Sequence, residues 1–235
     1  MAEPMIEQKA AVGRAAAALV QNKMRVGLGT GSTSRHFIEA LSNRIKEEGL
    51  QIQAIATSRD SQRLAESLAI PLRDPEEMCQ LDLVVDGADQ VEEKSHALIK
   101  GAGGALLREK IVAAMAQRYL IIIDETKLRK SLGEVSLPIE VLPFGRAATF
   151  LHLSELGWPC HWRLTGEGAL YRTDNGNYIA ELSLGRGSGS WLKLEQKLKA
   201  IPGVVETGFF LAFRPDLLLG QPSGEVEFLP YASTH

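Results

Sequence analysis

The chain has 235 residues, with 26 Lys and Arg against 29 Asp and Glu, so its formal net charge is −3. Its 45% hydrophobic and 23% charged residues are typical of a soluble globular protein and exclude a disordered chain or a small disulfide-stapled fold. An isoelectric point near 6.0 argues against nucleic acid as a partner, because binding to a phosphate backbone requires a basic face.

The sequence also indicates a cellular compartment. Cys79 and Cys160 cannot build a disulfide framework or fill a zinc site by themselves, so we expect two reduced thiols. The N-terminal sequence lacks the basic start and apolar centre of a secretory leader, and Glu3 and Glu7 argue against a transit peptide. No apolar run approaches the ~20 residues of a membrane span. We therefore expect a cytoplasmic protein with no membrane partner.

Helices and strands alternate along the first half of the chain. Apolar spacing predicts, in order, a helix over 5–22, a strand over 24–28, a helix over 37–45, a strand over 52–56, a helix over 62–68, a strand over 81–85, a helix over 105–117 and a strand over 119–123. This alternation is typical of an α/β fold with a doubly wound, mostly parallel, Rossmann-like sheet. Ligands of such sheets bind outside the carboxyl ends of the strands.

The pattern changes near residue 131. We predict strands over 138–142, 160–164, 178–184 and 204–207 and helices over 146–156 and 191–200, with a hairpin turn at Asn175-Gly176. The order βαββαβ is that of a split βαβ unit, which predicts a smaller inserted α+β lobe of the ferredoxin-like type. Strands over 217–219 and 226–229 then return to the first sheet. The predicted domains are 1–130 plus 208–235, and 131–207.

A glycine cluster at 27–34 follows the first strand. Ser32 stands where a dinucleotide fingerprint requires its third glycine, and the second strand ends in Thr57 rather than an acidic residue. The Walker A pattern is also absent, which excludes a P-loop. A Gly/Ser/Thr turn before a helix offers N–H groups and hydroxyls to one phosphate monoester. The alternative is a tight turn in which Ser32 caps the helix.

Two more clusters carry candidate chemistry. Asp86 and Asp89 flank Gly-Ala after the third strand and could bind hydroxyls, carry protons or hold Mg²⁺ weakly, although the five histidines show no paired ligand spacing. The alternative is a solvated turn.

Lys100 and the glycine run 101–104 would stabilise an oxyanion. Glu109 is a candidate general base, with a surface glutamate as the alternative. Together these groups fit proton transfer on a small phosphorylated polyol better than hydride or phosphoryl transfer.

These motifs resemble those of the type A ribose-5-phosphate isomerase family. The resemblance is carried by Gly-Thr-Gly-Ser-Thr at 29–33, Asp-Gly-Ala-Asp at 86–89, Lys-Gly-Ala-Gly-Gly at 100–104 with Glu109, Asp-Glu-Thr-Lys at 124–127 and Leu-Pro-Ile-Glu-Val at 137–141. It extends from about residue 6 to residue 228. It implies interconversion of D-ribose 5-phosphate and D-ribulose 5-phosphate in the pentose phosphate pathway, through an enediolate and without a cofactor or metal.

The resemblance also implies roles for individual residues. Glu109 would be the general base, Lys100 would stabilise the enediolate oxygen, and Asp86 or Asp89 would assist ring opening. The residues implied to bind the sugar phosphate are Lys9, Thr30, Gly31, Ser32, Thr33, Asp86, Gly87, Ala88, Asp89, Lys100, Gly101, Ala102, Gly103 and Lys127.

Two departures from the family pattern concern the site. Gln90 replaces a glutamate, and Ala102 interrupts a glycine run, where a positive φ would strain it by about 1–2 kcal/mol. The family resemblance implies a homodimer or homotetramer, and the apolar run 209–211 is core or interface, with core favoured for a strand. Two other functions stay open: a non-catalytic sugar-phosphate sensor, and acyl transfer through a thioester on Glu109, which a single phosphate loop fits less well.

Overall fold

The computed structural model describes residues 3–185 and 190–231. The chain folds into two compact units. Unit 1 contains the chain up to Ala88, the segment Arg108–Leu128 and the chain from Phe213 onward. Unit 2 contains Asp89–Leu107 and Arg129–Ala212.

The strands of the described residues are short, and most belong to one of three sheets. In chain order they are β1 (Arg25–Leu28), β2 (Gln53–Ala56), β3 (Leu81–Asp86), β4 (Gln90–Glu92), β5 (Leu98–Ile99), β6 (Ala116–Asp124), β7 (Leu128–Arg129), β8 (Ser136–Val141), β9 (Cys160–Trp162), β10 (Tyr178–Ser183), β11 (Val204–Thr207), β12 (Phe209–Phe210), β13 (Asp216–Gly220) and β14 (Val226–Leu229). The α-helices are α1 (Glu3–Ala18), α2 (Ser32–Glu48), α3 (Arg59–Ser67), α4 (Leu106–Ala114), α5 (Arg146–Ser154) and α6 (Trp191–Lys199).

Unit 1 contains a six-stranded sheet with the order β14-β13-β6-β3-β1-β2. Neighbouring strands are parallel, except that β13 and β14 pair antiparallel. Val26 of β1 lies opposite Ala54 of β2 and Leu83 of β3, so β1 is an interior strand. This sheet confirms the predicted doubly wound α/β fold and the return of the last two strands to it.

The core of unit 1 explains why its strands are nearly continuous apolar runs. Val26, Leu28 and Val85 are fully buried together with Phe37 and Leu41 of α2. A parallel sheet covered by helices has no water-facing side, so polar residues appear only where its strands end.

Unit 2 contains an antiparallel sheet with the order β11-β8-β10-β9. With α5 and α6 it has the predicted element order βαββαβ, and one face of the sheet packs on the helices. Leu137 and Ile139 of β8 share a buried cluster with Leu153 of α5 and with Leu194 and Leu198 of α6. The inserted α+β lobe is therefore confirmed as a structural element.

A second sheet in unit 2, with the order β12-β5-β4-β7, was absent from the sequence-based prediction. Its strands are two or three residues long, which is too short for a visible period of two. It includes Phe209 and Phe210, which are fully buried in this chain, so the expectation that they belong to the core is confirmed.

Most predicted elements differ from the observed ones by a few residues at their ends, and two differences affect the organisation of the chain. Residues 89–107 belong to unit 2, whereas the predicted division placed them with the first domain. The helix predicted over 105–117 ends at Ala114, and β6 begins at Ala116 because Ala116 pairs with Leu81 of β3. In residues 3–185 and 190–231, no helix is both long and apolar enough to cross a membrane.

Candidate functional site

The turn after β1 starts a helix with an open N-terminus. α2 begins at Ser32, and its N-cap is Gly31, whose φ of +105° lies in the region that favours glycine. Among the described residues no side chain caps this end, so the alternative in which Ser32 caps the helix is wrong. Uncapped N–H groups and the helix dipole both favour negative charge, and the turn is suited to an anion.

Lys9 adds a positive charge to this helix end. Its Nζ donates a hydrogen bond to Oγ of Ser32 across 2.9 Å, although Lys9 lies on α1. The two helices approach closely at Gly13, where a Cβ would lie 2.7 Å from the backbone carbon of His36. Lys9 precedes Gly13 by one helical turn and Ser32 precedes His36 by one turn. The glycine therefore sets the approach that brings the lysine to the serine.

Asp86 organises the same turn from the end of β3. Its carboxylate is fully buried, and Oδ1 accepts hydrogen bonds from the N–H groups of Thr30 at 2.9 Å and Gly87 at 2.8 Å. Gly29 leaves the room for this contact, because a Cβ there would lie 2.2 Å from Oδ1. One carboxylate oxygen of Asp86 therefore holds the predicted phosphate loop in place.

Hydroxyl groups from the end of β2 complete the support of the loop. The hydroxyl oxygens of Thr57 and Thr30 are 2.7 Å apart, and Oγ of Ser61 donates to the carbonyl of Gly29 at 2.6 Å. In the sequence, Thr57 serves only to exclude a dinucleotide site, and no pattern indicates a role for Ser61. Their position at the carboxyl end of a strand next to β1 was the one available signal.

The second glycine cluster forms a tight turn in unit 2. Gly101 and Gly104 have φ of +107° and +78°, and the N–H of Gly104 donates to the carbonyl of Gly101 at 2.9 Å. Ala102 is not among the residues with a positive φ, so the strain considered for it does not arise. The N–H of Ala102 donates to Oδ2 of Asp89 at 2.8 Å, which brings this aspartate and the turn together.

Lys100 leads into this turn with its side chain inside unit 2. It is 2% exposed, and its Nζ lies 5.6 Å from the ring centre of Phe210. Its N–H donates to the carbonyl of Gly208 at 2.9 Å. The side chain of Lys100 is thus enclosed against Phe210 of β12, and its backbone is anchored to the segment before that strand.

Two further residues of unit 2 contact the glycine turn and were missed from the sequence. Nη1 of Arg163 donates to the carbonyl oxygens of Gly101 at 3.0 Å and Ala102 at 3.1 Å. The hydroxyl of Tyr171 lies 3.5 Å from the carbonyl oxygen of Gly103. Neither residue belongs to a motif, and only the folded chain brings them to residues some 60 positions earlier in the sequence.

Glu109 and Lys127 belong to unit 1. Glu109 is in the first turn of α4 and is only 4% exposed, so the alternative of a surface glutamate is wrong. Lys127 is half-buried in a short 3-10 turn, Glu125–Lys127, after β6. Asp124 caps that turn by accepting a hydrogen bond from the N–H of Thr126 at 3.0 Å.

The predicted residues therefore form two separate sets. Unit 1 contains Lys9, Thr30, Gly31, Ser32, Thr33, Asp86, Gly87, Ala88, Glu109 and Lys127, and unit 2 contains Asp89, Lys100, Gly101, Ala102 and Gly103. Within the part of the chain that the structure describes, no three His, Cys, Asp or Glu side chains are grouped to hold a metal ion, and His235 lies outside that part.

Comparison with known proteins identifies the family. The family model of ribose 5-phosphate isomerase A (phosphoriboisomerase A) matches residues 53–224. The ribose-5-phosphate isomerase A of Chlamydia caviae is 42% identical over 224 residues, which cover 95% of each chain.

Solved structures agree with this match. Ribose 5-phosphate isomerase A from Methanocaldococcus jannaschii is similar with a TM-score of 0.89 and 40% identity, covering 95% of this chain and 98% of that one. A D-ribose-5-phosphate isomerase in complex with phospho-erythronic acid has a TM-score of 0.89 and 32% identity, with the same coverage of both chains. Since the similarity extends over nearly the whole length in sequence and in structure, the chain belongs to the ribose 5-phosphate isomerase A family.

Proposed function

We propose that the protein interconverts D-ribose 5-phosphate and D-ribulose 5-phosphate by general-base proton transfer, as a step of the pentose phosphate pathway. The main support for this mechanism is the burial of Glu109 at the start of α4. Glu109 lies in the charged run 108–110, so an exposed surface glutamate was the alternative. A carboxylate shielded from water at a helix start can act as a base toward a bound substrate.

The reaction moves one proton between carbons and one between oxygens. Glu109 takes the proton from C2 of the open-chain aldose, and the electron pair passes to O1 to give an enediolate. Glu109 then returns the proton to C1, while the proton of the C2 hydroxyl passes to O1, so that C2 becomes the ketone and C1 carries the hydroxyl group. We assign stabilisation of the enediolate oxygen to Lys100 and to the N–H groups of the glycine turn.

The remaining residues bind the substrate. The N-terminus of α2, with Thr30 to Thr33, and the ammonium of Lys9 are suited to the phosphate. Asp86 and Asp89 would accept hydrogen bonds from sugar hydroxyls, and one of them would assist ring opening. Lys127 is assigned as a second substrate-binding lysine. A relative binds phospho-erythronic acid, a phosphorylated sugar acid, which supports this class of ligand.

The assembly and compartment are part of the same proposal. We propose a homodimer or homotetramer that works in the cytoplasm without a cofactor or metal. The support is the family resemblance together with two cysteines, Cys79 and Cys160, that do not pair with each other.

The decisive variant is Glu109→Gln. It keeps the size and shape of the side chain but replaces one acceptor oxygen by an NH2 donor and so removes the base; we expect kcat to fall by about 10²–10⁴-fold with little change in substrate binding. A coupled assay on ribose 5-phosphate with EDTA present measures this and tests metal independence at the same time.

Glu140→Gln is the matched control, because Glu140 is another buried glutamate whose Oε1 is held by three side chains, those of Thr173, Asn175 and Asn177. It should keep the wild-type rate. Wild-type kcat in Glu109→Gln would exclude Glu109 as the base. A wild-type protein that is stabilised by the sugar phosphate but converts none of it would instead be a sensor.

A further inference from the structure

The glycine turn 101–104 has little stiffness of its own. Gly101 and Gly104 both have a positive φ, a conformation that glycine adopts freely and leaves as freely. Only one backbone hydrogen bond, from Gly104 to Gly101, closes the turn among the described residues. A turn that must present N–H groups in fixed directions therefore needs support from outside itself.

Arg163 supplies that support from the segment after β9. One nitrogen, Nη1, reaches two successive carbonyl oxygens, those of Gly101 and Ala102. The guanidinium is itself fixed, because its Nε donates to Oε1 of Glu181 at 2.6 Å and its side chain is 16% exposed. The Arg163 backbone is anchored as well, since its N–H donates to the carbonyl of Ile179 at 2.8 Å.

A hydrogen bond that fixes a carbonyl oxygen also fixes the direction of the N–H group of the following residue. The peptide group is planar and trans, so the C=O of one residue and the N–H of the following residue point in opposite directions. The carbonyl of Gly101 faces Arg163, and the N–H of Ala102 in the same plane donates to Asp89. The carbonyl of Ala102 also faces Arg163, which directs the N–H of Gly103 away from the guanidinium.

The two groups aimed in this way are both assigned to the substrate. Asp89 is one of the hydroxyl-binding carboxylates, and Gly103 is an exposed residue of the oxyanion turn whose N–H has no acceptor among the described residues. We propose that Arg163 is a positioning residue for the reaction: its guanidinium locks two peptide planes so that the Gly103 N–H and the Asp89 carboxylate keep their catalytic directions. This proposal rests on the proposed isomerase function.

The test compares Arg163→Lys with Arg172→Lys. Lysine keeps the charge but lacks the planar fork that bridges two carbonyls and Glu181. We expect kcat to fall by about 10–100-fold and KM to change by less than about threefold, because the phosphate anchor lies on other residues. A second, milder variant, Glu181→Gln, leaves the arginine in place but loosens it and should lower kcat by about 3–10-fold.

Arg172 is a closely matched control within unit 2. Its Nη1 approaches the carbonyl oxygen of Gly176 at 3.4 Å, and its guanidinium lies 5.0 Å from the ring centre of Tyr178. These contacts parallel those of Arg163, which reaches two carbonyls and lies 5.6 Å from the ring centre of Tyr171. Arg172→Lys should leave both kcat and KM unchanged.

Hydrogen–deuterium exchange of peptides spanning 99–107, without substrate, gives a readout independent of turnover. Exchange should become at least about tenfold faster in Arg163→Lys and stay unchanged in Arg172→Lys. Wild-type exchange or wild-type kcat in Arg163→Lys would overturn the proposal, and so would an equal loss in Arg172→Lys. A wild-type protein without isomerase activity would refute the proposed function instead, while the exchange comparison would still report whether Arg163 holds the turn.

Discussion

At the scale of single residues, the contact with Thr57 determines which acceptor the Thr30 hydroxyl can donate to. The hydroxyl of Thr57 has one proton and lies 3.1 Å from the carbonyl oxygen of Leu28, to which it donates. The Thr30 hydroxyl, 2.7 Å away, must then donate to Thr57 and cannot give the same proton to a phosphate. The donors that would remain for the proposed phosphate site are the N–H groups at the start of α2, the hydroxyls of Ser32 and Thr33, and the ammonium group of Lys9.

We therefore expect Thr57→Val to weaken substrate binding without harming the chemical step. The variant removes the acceptor that holds Thr30, so KM for ribose 5-phosphate should rise by about 3–10-fold, as for the loss of a net hydrogen bond, while kcat stays within about twofold. Steady-state kinetics measures both values.

The control for this variant is Thr149→Val in unit 2. Thr149 is also buried, and its hydroxyl donates to the carbonyl of Pro202 at 2.9 Å. Thr57→Val and Thr149→Val each remove a hydrogen bond from a buried threonine hydroxyl to a backbone carbonyl, so each should lower the free energy of unfolding by about 1 kcal/mol. Thr149→Val should nevertheless leave KM unchanged. Equal rises of KM in both variants would mean that Thr57 acts through general stability alone.

Gln90 shows why a departure from the family pattern is tolerated. Its Oε1 accepts a hydrogen bond from the N–H of Gly133 at 2.8 Å, which an amide oxygen does as well as a carboxylate. Gln90 is almost completely buried, so the amide avoids placing a charge there. Gly133 lies 43 residues away along the chain, and no sequence pattern points from one to the other.

How much of the site can be predicted depends on whether its partners are local. The first glycine turn and Asp86 stand out in the sequence because each follows a predicted strand, whereas Lys100 and the second glycine turn stand out because they lie just before a predicted helix. Thr57 and Arg163 could not be assigned, since their roles exist only through hydrogen bonds to residues brought close by folding. The roles of Glu109 and Lys127 toward the substrate stay predictions.

At the scale of elements, strand pairing overrides local helical preference. Residues 113–116 are Ala-Ala-Met-Ala, which favours a helix, and the predicted helix extended through them. In the structure Ala116 and Arg118 pair with Leu81 and Leu83 of β3, and the parallel ladder ends the helix at Ala114. Such a pairing spans distant segments and leaves no trace in a local period.

An ion pair between Arg25 and Asp82 also joins β1 and β3 near the amino ends of these strands. Arg25 of β1 donates from Nη2 to Asp82 of β3 at 2.9 Å, and its backbone N–H donates to the same carboxylate at 2.7 Å. The hydrogen bonds from Arg25 lower the pKa of Asp82 below its ordinary value. A carboxylate with a lowered pKa in the folded state stabilises it above the unfolded-state pKa and loses that effect as pH falls through the lowered value.

We expect Asp82→Asn to lower the free energy of unfolding at about pH 7, and we expect this difference from wild type to shrink progressively as pH falls below about 4, because Asp82 becomes protonated first in the unfolded state and then, at its lowered pKa, in the folded state. Urea unfolding across this range measures it. Asp60→Asn is the control, because its ion pair with Arg63 is exposed and should contribute little at any pH. A difference between Asp82→Asn and wild type that stayed constant down to about pH 3 would exclude the ion pair as its cause.

At the scale of the whole molecule, the predicted fold class is correct, whereas the predicted domain boundaries differ from those of the two compact units. The sequence Asp-Gly-Ala-Asp at 86–89 contains the boundary itself, since unit 1 ends at Ala88 and unit 2 begins at Asp89. A boundary inside a motif has no linker composition, so the sequence indicates a change of pattern only near residue 131. The segment 89–107 joins unit 2 through β4 and β5, strands too short to recognise.

The assembly should be larger than one chain. Several large apolar side chains are exposed in the single chain, among them Phe144 at 88%, Leu151 at 58% and Leu192 at 56%. Contiguous exposed apolar surface is typical of contacts between subunits, and these side chains are the candidates for such a contact. We expect light scattering after size exclusion to give two or four times the chain mass of 25.6 kDa. A mass of one chain, constant over a hundredfold dilution series, would contradict the proposed assembly.

The order of strands in unit 1 has a consequence for biosynthesis. β6 lies between β3 and β13, and β13 does not begin until Asp216, close to the end of the chain. A growing chain has therefore completed the residues of unit 2 while one edge of β6, whose residues Leu120 to Ile123 are buried in the finished protein, still lacks its neighbour. Unpaired apolar strand edges promote aggregation. A premature stop before Asp216 removes β13 and leaves this edge of β6 unpaired, whereas a stop after Gly220 keeps the pairing of β6 with β13.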